Sequence, residues 1–364
     1  MAKYTRKYVE IHLTQLKNNP QTSAEYSKNY GGSLPNHLYK YRSVSRNNLE
    51  ALRNNFVWMC TAESFNDPID STVNINFGRV KTEMVRFFLR NVNIIVYGAI
   101  KEAARLHNIS LDPSLSPEKI GQIAQLCFTK NGNLKSRESR LFMIESGMPT
   151  SFQKTFEQKI RLVRDLDVSS ITAKVDELLV LFKTMNDNFQ ALKLVYSMAS
   201  NFDNNAMWDM YADHFCGYCI EYDLRKPRGN DGRQKKLSFF PIIYGKKKEI
   251  SAGTILDLAI AKITDSPEYE FRVKELEIQI EMQLLTKDTG WKGENEWRYL
   301  LDKSGQENKQ EFPFEITRII LGKNILRRNQ QIIVSIARKY GVPVYKQEIN
   351  ATHSMIEYKE LIIL

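Results

Sequence analysis

Long apolar runs are missing from this chain. The longest, such as Asn93–Ile100 and Leu178–Phe182, fall far short of the 18 or more residues that a membrane-spanning helix requires. Cysteine is scarce as well. Cys60, Cys127, Cys216 and Cys219 are too few and too scattered for a secreted disulfide framework. Tyr4, Arg6 and Lys7 interrupt the start of the chain, so no apolar core of signal-peptide length forms there. These absences predict a cytoplasmic protein that is neither exported nor membrane-inserted. A phosphate-binding Walker loop, a GxGxxG turn and an HExxH helix are also missing, which removes the commonest nucleotide and metalloprotease signatures. What remains is ordinary globular material, with 364 residues that are 42% hydrophobic and 26% charged. That length suits about two domains and buries enough surface to need no staples.

The net charge of +10 is concentrated in two places. Residues 1–53 carry nine lysines and arginines against three acids, and residues 225–248 carry nine against one. Clustered positive charge suits a polyanion, whether nucleic acid or a dinucleotide phosphate, although a solvated loop with lysines for solubility is the plainer reading of residues 225–248. Arg228, Lys235 and Lys236 are the candidates for a nucleic-acid or partner contact.

The periodicity predicts an α+β protein. Residues 1–36 read as a helix from Tyr4 to Lys17 followed by a linker. His37–Arg42 alternates as a strand does, Ser45 caps a helix carrying Leu49 and Leu52, and Phe56–Cys60 is a second strand. From residue 80 to 192 the texture is helical, with Ser116-Pro117-Glu118 in the order of a capped start. This block reads as a large helical insertion into a core made of residues 37–79 and 193–364. Further strands are expected at Lys193–Met198, Tyr218–Asp223, Phe239–Tyr244, Glu296–Leu301, Ile316–Leu321 and Val342–Ile349. Helices are expected at Asn204–His214, from Ser266 to Leu285, and at Ile325–Arg338. Helices of unequal length between strands argue against a regular doubly wound sheet.

Four groups of residues carry chemistry. Strand geometry puts Lys40 and Arg42 on one face, where they can grip a pyrophosphate or pair with Asp67 or Asp70 of the next turn. On a helix, Trp208 and Tyr211 share a face and can wall a pocket for a flat ring, or serve as core. If Gly293–Arg298 is a strand, then Glu294, Glu296 and Arg298 project together. The two carboxylates then repel unless Arg298 compensates them, and a cross-strand ladder accounts for the same pattern. Cys216-Gly-Tyr-Cys219 has CxxC spacing without a second pair, and buried thiols are expected in place of a metal site.

Taken together, His37-Leu-Tyr-Lys-Tyr-Arg42, Ser64-Phe-Asn-Asp-Pro-Ile-Asp70, the Trp208-to-Glu221 segment and Trp291-x-x-Glu294-x-Glu296-Trp-Arg298 resemble a bacterial family of unknown function, numbered 2971. The resemblance runs from about residue 37 to 350. A second resemblance is to ADP-ribosyltransferases of the DNA-modifying toxin type. It implies a mixed β core that binds NAD, with Arg42 on the first strand, Thr61 or Ser64 on the second, and Glu294-Asn295-Glu296 late in the chain. In that scheme Glu296 stabilises the cationic ribose and Glu294 orients or deprotonates the acceptor. Lys40, Arg42, Ser64, Asn66, Asp67, Trp208, Tyr211 and His214 surround NAD, with Tyr211 or Trp208 stacked on nicotinamide. The implied role is a toxin or an anti-phage defence effector. Two alternatives stay open: a non-enzymatic nucleic-acid or sensor module, and a nuclease holding Mg²⁺ on Asp67, Asp70, Glu294 and Glu296.

Overall fold

In the computed structural model, residues 4–18, 30, 32–65, 67, 69–70, 72–131, 133–229, 236–303, 307–350 and 355–362 are described. Two compact units divide the chain: Met1–Val73, Asn188–Lys248 and Ile280–Leu364 form one, and Asn74–Asp187 with Glu249–Gln279 form the other. The second unit is helical and includes helices Phe77–Arg90, Val92–Leu106, Pro117–Cys127, Ser136–Glu145, Gln153–Asp165 and Ala252–Ile263. Ser116 caps its helix as its sequence suggests, accepting from Lys119 N, with Pro117 in the first turn. Val96, Ile100, Ile120, Phe152, Phe156 and Ile160 form a dry core there. Among the described residues no helix is long and apolar enough to cross a membrane.

The first unit is a mixed α/β structure. Its strands are β1 (His37–Arg42), β2 (Phe56–Trp58), β3 (Cys60–Thr61), β4 (Lys193–Ala199), β5 (Tyr218–Pro227), β6 (Phe239–Pro241), β7 (Ile243–Tyr244), β8 (Thr286–Lys287), β9 (Glu296–Asp302), β10 (Lys309–Glu311), β11 (Phe314–Leu321), β12 (Val344–Asn350) and β13 (Met355–Ile362). The main sheet runs β13-β12-β11-β5-β1-β4-β9-β6, and β3 also pairs with β4. All neighbours in it are antiparallel except β11 and β12. Two runs expected as single strands are divided between sheets. Residues 56–58 pair with β10 whereas 60–61 turn to β4, and 239–241 join β9 whereas 243–244 pair with β8.

Side-chain alternation sets the two faces. Leu38, Leu194, Tyr196, Met198, Tyr218, Ile220, Trp297 and Tyr299 share one hydrophobic core with Leu52 of helix Arg46–Asn54 and Ile333 of helix Arg327–Tyr340. Ser45 caps the first of these helices, accepting from Asn48 N, and Asn55 ends it in the left-handed region. Tyr39, Tyr41, Ala199 and Cys219 point the other way, against Met207 and Trp208 of helix Asn205–Tyr211.

The join between β1 and β4 is the unusual feature. β1 pairs with β5 along its whole length, from His37↔Asp223 to Arg42↔Tyr218, but with β4 only at Tyr39↔Ala199. Further along, β4 is taken up by β3 at Val195 and Leu194. Between these attachments the sheet is split. The end of β1 at the split is pinned by a close approach. After helix Asn205–Tyr211 the chain passes through Asp213, His214 and Phe215, all at positive φ, and reaches Gly217. A Cβ on Gly217 would lie 2.1 Å from Arg42 O and 2.8 Å from Ala212 O. Gly217→Ala is therefore expected to lower the unfolding free energy by about 2 kcal/mol or more. A denaturant midpoint unchanged from wild type would refute this close approach.

Candidate functional site

A cavity of about 690 Å³ opens at the split, within the size range of small-molecule sites. Lys40 and Arg42 reach it from β1, and Tyr196 and Ser197 from β4. Ser64, Phe65, Asp67 and Asp70 line it from the segment after β3. Tyr211, Lys287, Trp291, Glu294, Glu296 and Arg298 complete the wall. In an unbroken sheet, Lys40 and Glu296 belong to opposite faces. Here the gap between β1 and β4 lets both line one hollow.

At one end is an ion-pair network built on Arg298, whose side chain is 1% exposed. Its Nε donates to Glu296 Oε1 at 2.8 Å and its Nη2 to Asp70 Oδ2 at 2.5 Å, while Nη1 donates to Leu284 O. The Phe65 ring lies 4.7 Å from the guanidinium carbon. Lys287 Nζ donates to Glu294 Oε2 at 2.7 Å and Glu296 Oε2 at 3.2 Å, and rests 4.7 Å from the centre of the Trp291 ring. Tyr211 completes the group by donating its hydroxyl proton to Glu294 Oε1 at 2.7 Å. Burial opposes the charged form of Glu296, but Arg298 and Lys287 outweigh it and hold the carboxyl down at about 2. Glu296 is therefore an anion at neutral pH. Burial, the Glu294 hydrogen bond and the Glu294 charge push the Tyr211 phenol well above its usual range.

At the other end stand Lys40 and Arg42, over the Tyr196 ring at 4.7 and 5.5 Å. Lys40 Nζ donates to Ser197 O, and no carboxylate among the described residues pairs with either cation. Burial and the neighbouring Arg42 charge lower the Lys40 ammonium to about 7, despite the opposing pull of Glu296 and Glu294. Asp67 and Asp70, offered by the sequence as their partners, are used elsewhere. Asp67 Oδ1 accepts from Ile69 N, and Asp70 takes Arg298.

Several expectations need correction. Glu294 is not on the strand with Glu296. It ends the turn Thr289–Glu294, and Asn295 at φ 46° swings the chain into β9. The two carboxylates meet because Lys287 draws them together, not because alternation places them so. Trp208 does not face the cavity. It is fully buried, donates Nε1–H to Phe202 O and packs edge-on against Tyr41. His214 lies outside as well, exposed and paired with Asp209 at 2.7 Å. Ser64 is at the rim, its hydroxyl donating to Thr61 O. Asn66 and Lys235 fall outside the described residues, as does the side chain of Lys236. Arg228 is exposed near Tyr340, whose hydroxyl donates to Arg53 O at 2.5 Å. Cys216 and Cys219 are free thiols, and among the described residues no three His, Cys, Asp or Glu side chains are grouped to hold a metal.

The sequence pattern alone did not single out Lys287 or Lys247. Lys247 Nζ donates to the carbonyls of Ile69, Asp70 and Thr72 at 2.8–2.9 Å, clamping the loop that carries Asp70. Its place in a basic run disguises an inward role. The Trp291-x-x-Glu294 spacing was the available signal for that end of the site.

Fold and site thus define a mixed α/β protein with a split-sheet cleft, cationic at one end and acid-rich at the other. Residues 207–299 match the model of a family described as a protein of unknown function (DUF2971). The match covers roughly a quarter of the chain, less than the residue resemblance suggested, and includes Tyr211, Lys287, Trp291, Glu294, Glu296 and Arg298. No curated protein and no solved structure matches the chain.

Arg298→Met removes the shared partner of two buried carboxylates. Stability is expected to fall by about 3–5 kcal/mol in urea or guanidinium unfolding. A loss under about 1 kcal/mol would mean that the carboxylates find other partners, and the network would not be a single unit.

Proposed function

We propose that the cleft binds NAD as a substrate and transfers its ADP-ribose to an acceptor, within an ADP-ribosyltransferase-like core. The observation that carries this reading is the order of charge along the cleft. At one end three carboxylates (Asp70, Glu294 and Glu296) share ion pairs with two cations (Lys287 and Arg298), one acid more than the cations they pair with. Arg42 puts one positive charge at the other and Lys40 a second that is complete only below pH 7. The dinucleotide has the complementary order, a cationic pyridinium ring at one end of a ribose and a doubly anionic pyrophosphate at the other. Tyr196 and Trp291 supply flat surfaces beside the cations.

The chemistry follows from where the charges stand. Breaking the bond between the ribose carbon and the ring nitrogen sends the bonding electrons to the departing ring and leaves positive charge on the sugar. Glu296, already ionised and fixed by Arg298, needs no reorganisation to stabilise that charge. Its back side is neutralised by protein cations, so what remains is a modest field with a firm direction. An oxygen or nitrogen of the acceptor then bonds the ribose carbon and gives its proton to Glu294, which Tyr211 and Lys287 orient. A toxin or anti-phage defence role fits such a reaction inside a cell.

Glu296→Gln is expected to abolish nicotinamide release from NAD, by at least about a hundredfold, in a protein with wild-type circular dichroism. Turnover unchanged in the variant, or absent from the wild type with DNA, RNA and protein acceptors, would overturn the proposal.

A second test uses pH. In the free cleft Lys40 loses its proton near 7, and a bound pyrophosphate restores it. Affinity for ADP-ribose is therefore greatest below 7 and falls as pH rises, about fivefold between pH 7 and pH 8 by proton linkage. Lys40→Gln should weaken binding at pH 6.5 and flatten this dependence in titration calorimetry. A wild-type affinity constant across that interval would remove Lys40 from the phosphate site.

The exposed guanidinium of Arg228, close enough to act on the Tyr340 hydroxyl, favours one other reading, a nucleic-acid grip. It predicts a steep fall in DNA or RNA binding with salt, and a shallower slope in Arg228→Gln.

A further inference from the structure

Two large apolar side chains that water reaches line the cleft, Tyr211 at 38% exposure and Trp58 at 41%. Tyr211 is engaged, its hydroxyl donating to Glu294. Trp58 meets the Phe56 ring edge-on at 5.3 Å and lines the cavity. An indole open to water forfeits one of the largest apolar burials a side chain can supply, so a flat partner gains by covering it.

The chain around Trp58 shows which way it points. Val57 and Met59 are buried in the hydrophobic core of the sheet, whereas Trp58 and Cys60 line the cleft. This is strand alternation, carried across the step from β2 to β3. Sheet register fixes the level. β9 takes one edge of β4 from Lys193 to Ala199, so β1 and β3 share the other edge. On that edge Tyr39↔Ala199 puts Arg42 level with Tyr196, and Cys60 stands opposite Val195, one step further. Trp58 lies two residues back from Cys60, drawn aside to pair with Lys309 of β10. It therefore flanks the split on the bank opposite Lys40 and Arg42. Cys60, on the same bank, is close enough to act on the Lys40 charge more strongly than Glu296 does.

The acidic end of the cleft has its own indole, since Trp291 lies over Lys287, the partner of Glu294 and Glu296. On the NAD reading above, which this inference deepens and rests on, the pyrophosphate lies at Lys40 and Arg42 and the reacting ribose at Glu296. The pyridinium ring then belongs with the Trp291 end. The adenosine half leaves the cations on their other side, where Trp58 stands. We infer that Trp58 stacks on the adenine base and so holds the half of the dinucleotide that does not react. Such a contact reads the flat area of the base, and it adds binding energy remote from the bond that breaks. The substrate class is therefore the whole dinucleotide, and a pyridinium mononucleotide makes no use of Trp58.

The test follows NAD and nicotinamide mononucleotide, which lacks the adenosine half, by titration calorimetry on the full chain. Trp58→Ala is expected to weaken NAD about tenfold, the scale of one base stacked on one aromatic ring, and to leave the mononucleotide within about twofold of wild type. Trp58→Phe keeps a ring in place and should recover most of the NAD affinity. Equal NAD affinity in wild type and a folded Trp58→Ala would overturn the stacking and leave the NAD reading standing. A mononucleotide weakened as much as NAD would put Trp58 against another part of the ligand, which overturns the assignment to adenine. Failure of wild type to bind NAD at all would overturn both readings.

Discussion

A guanidinium with almost no exposure to water constrains everything around it. Arg298 must find partners for its donors inside the protein, because an unpaired buried charge is strongly destabilising. It finds them in three chain segments: Glu296 on its own strand, Asp70 more than two hundred residues earlier, and the Leu284 carbonyl at the end of helix Tyr269–Leu284. One side chain thereby fixes the orientation of one carboxylate and the position of the loop bearing another. Lys287 takes a share of Glu296 and then gathers Glu294, which Tyr211 reaches from the far wall. The acidic end of the cleft is a consequence of satisfying Arg298.

The cationic end has a different origin. Continuous pairing of β1 with β4 would bury the edge of Tyr196–Met198 against β1 and keep Lys40 and Glu296 on opposite faces. Instead the two strands meet at one pair of residues, and β3 takes over the far end of β4. The Ser197 carbonyl exposed by that divergence accepts from Lys40, so the side chain replaces a missing rung of the ladder. Lys40 is thereby held, half-buried, over Tyr196 and beside Arg42, and burial with that neighbouring charge makes its ammonium easily discharged.

Local chemistry was legible in the sequence and long-range chemistry was not. The alternation of Lys40 and Arg42 with two tyrosines, the Ser45 and Ser116 caps, and the pairing of Arg298 with Glu296 all depend on neighbours within a few positions. Trp208 and Tyr211 also lie three apart, yet one is core and the other reaches Glu294. Their helix ends at Tyr211, and three residues at positive φ turn the chain before β5, which no periodicity reveals. Glu294 was placed near Glu296 for the wrong reason, since a turn and a left-handed Asn295 intervene. Asp70 was visible as an acid in a turn, but its partner depends on tertiary placement. Family similarity over residues 207–299 covers the aromatic and acidic wall, but not Lys40, Arg42 or Asp70.

A cluster that served stability alone should close its charges locally. Here Asp70, Glu294 and Glu296 outnumber by one the two cations they pair with, Lys287 and Arg298, while Lys247 holds the backbone of the Asp70 loop. The cationic end, Arg42 with a Lys40 that discharges near pH 7, has no carboxylate in contact among the described residues. The two imbalances have opposite sign and share a cavity, close enough that Glu296 and Glu294 act on Lys40. Lys40 is tied to Ser197 O, and Glu296 to Arg298, Lys287 and the Ser197 side chain, so each charged group is held by its own neighbours. Charges of opposite sign held in place on the wall of one cavity are the arrangement that the NAD proposal asks of this cleft.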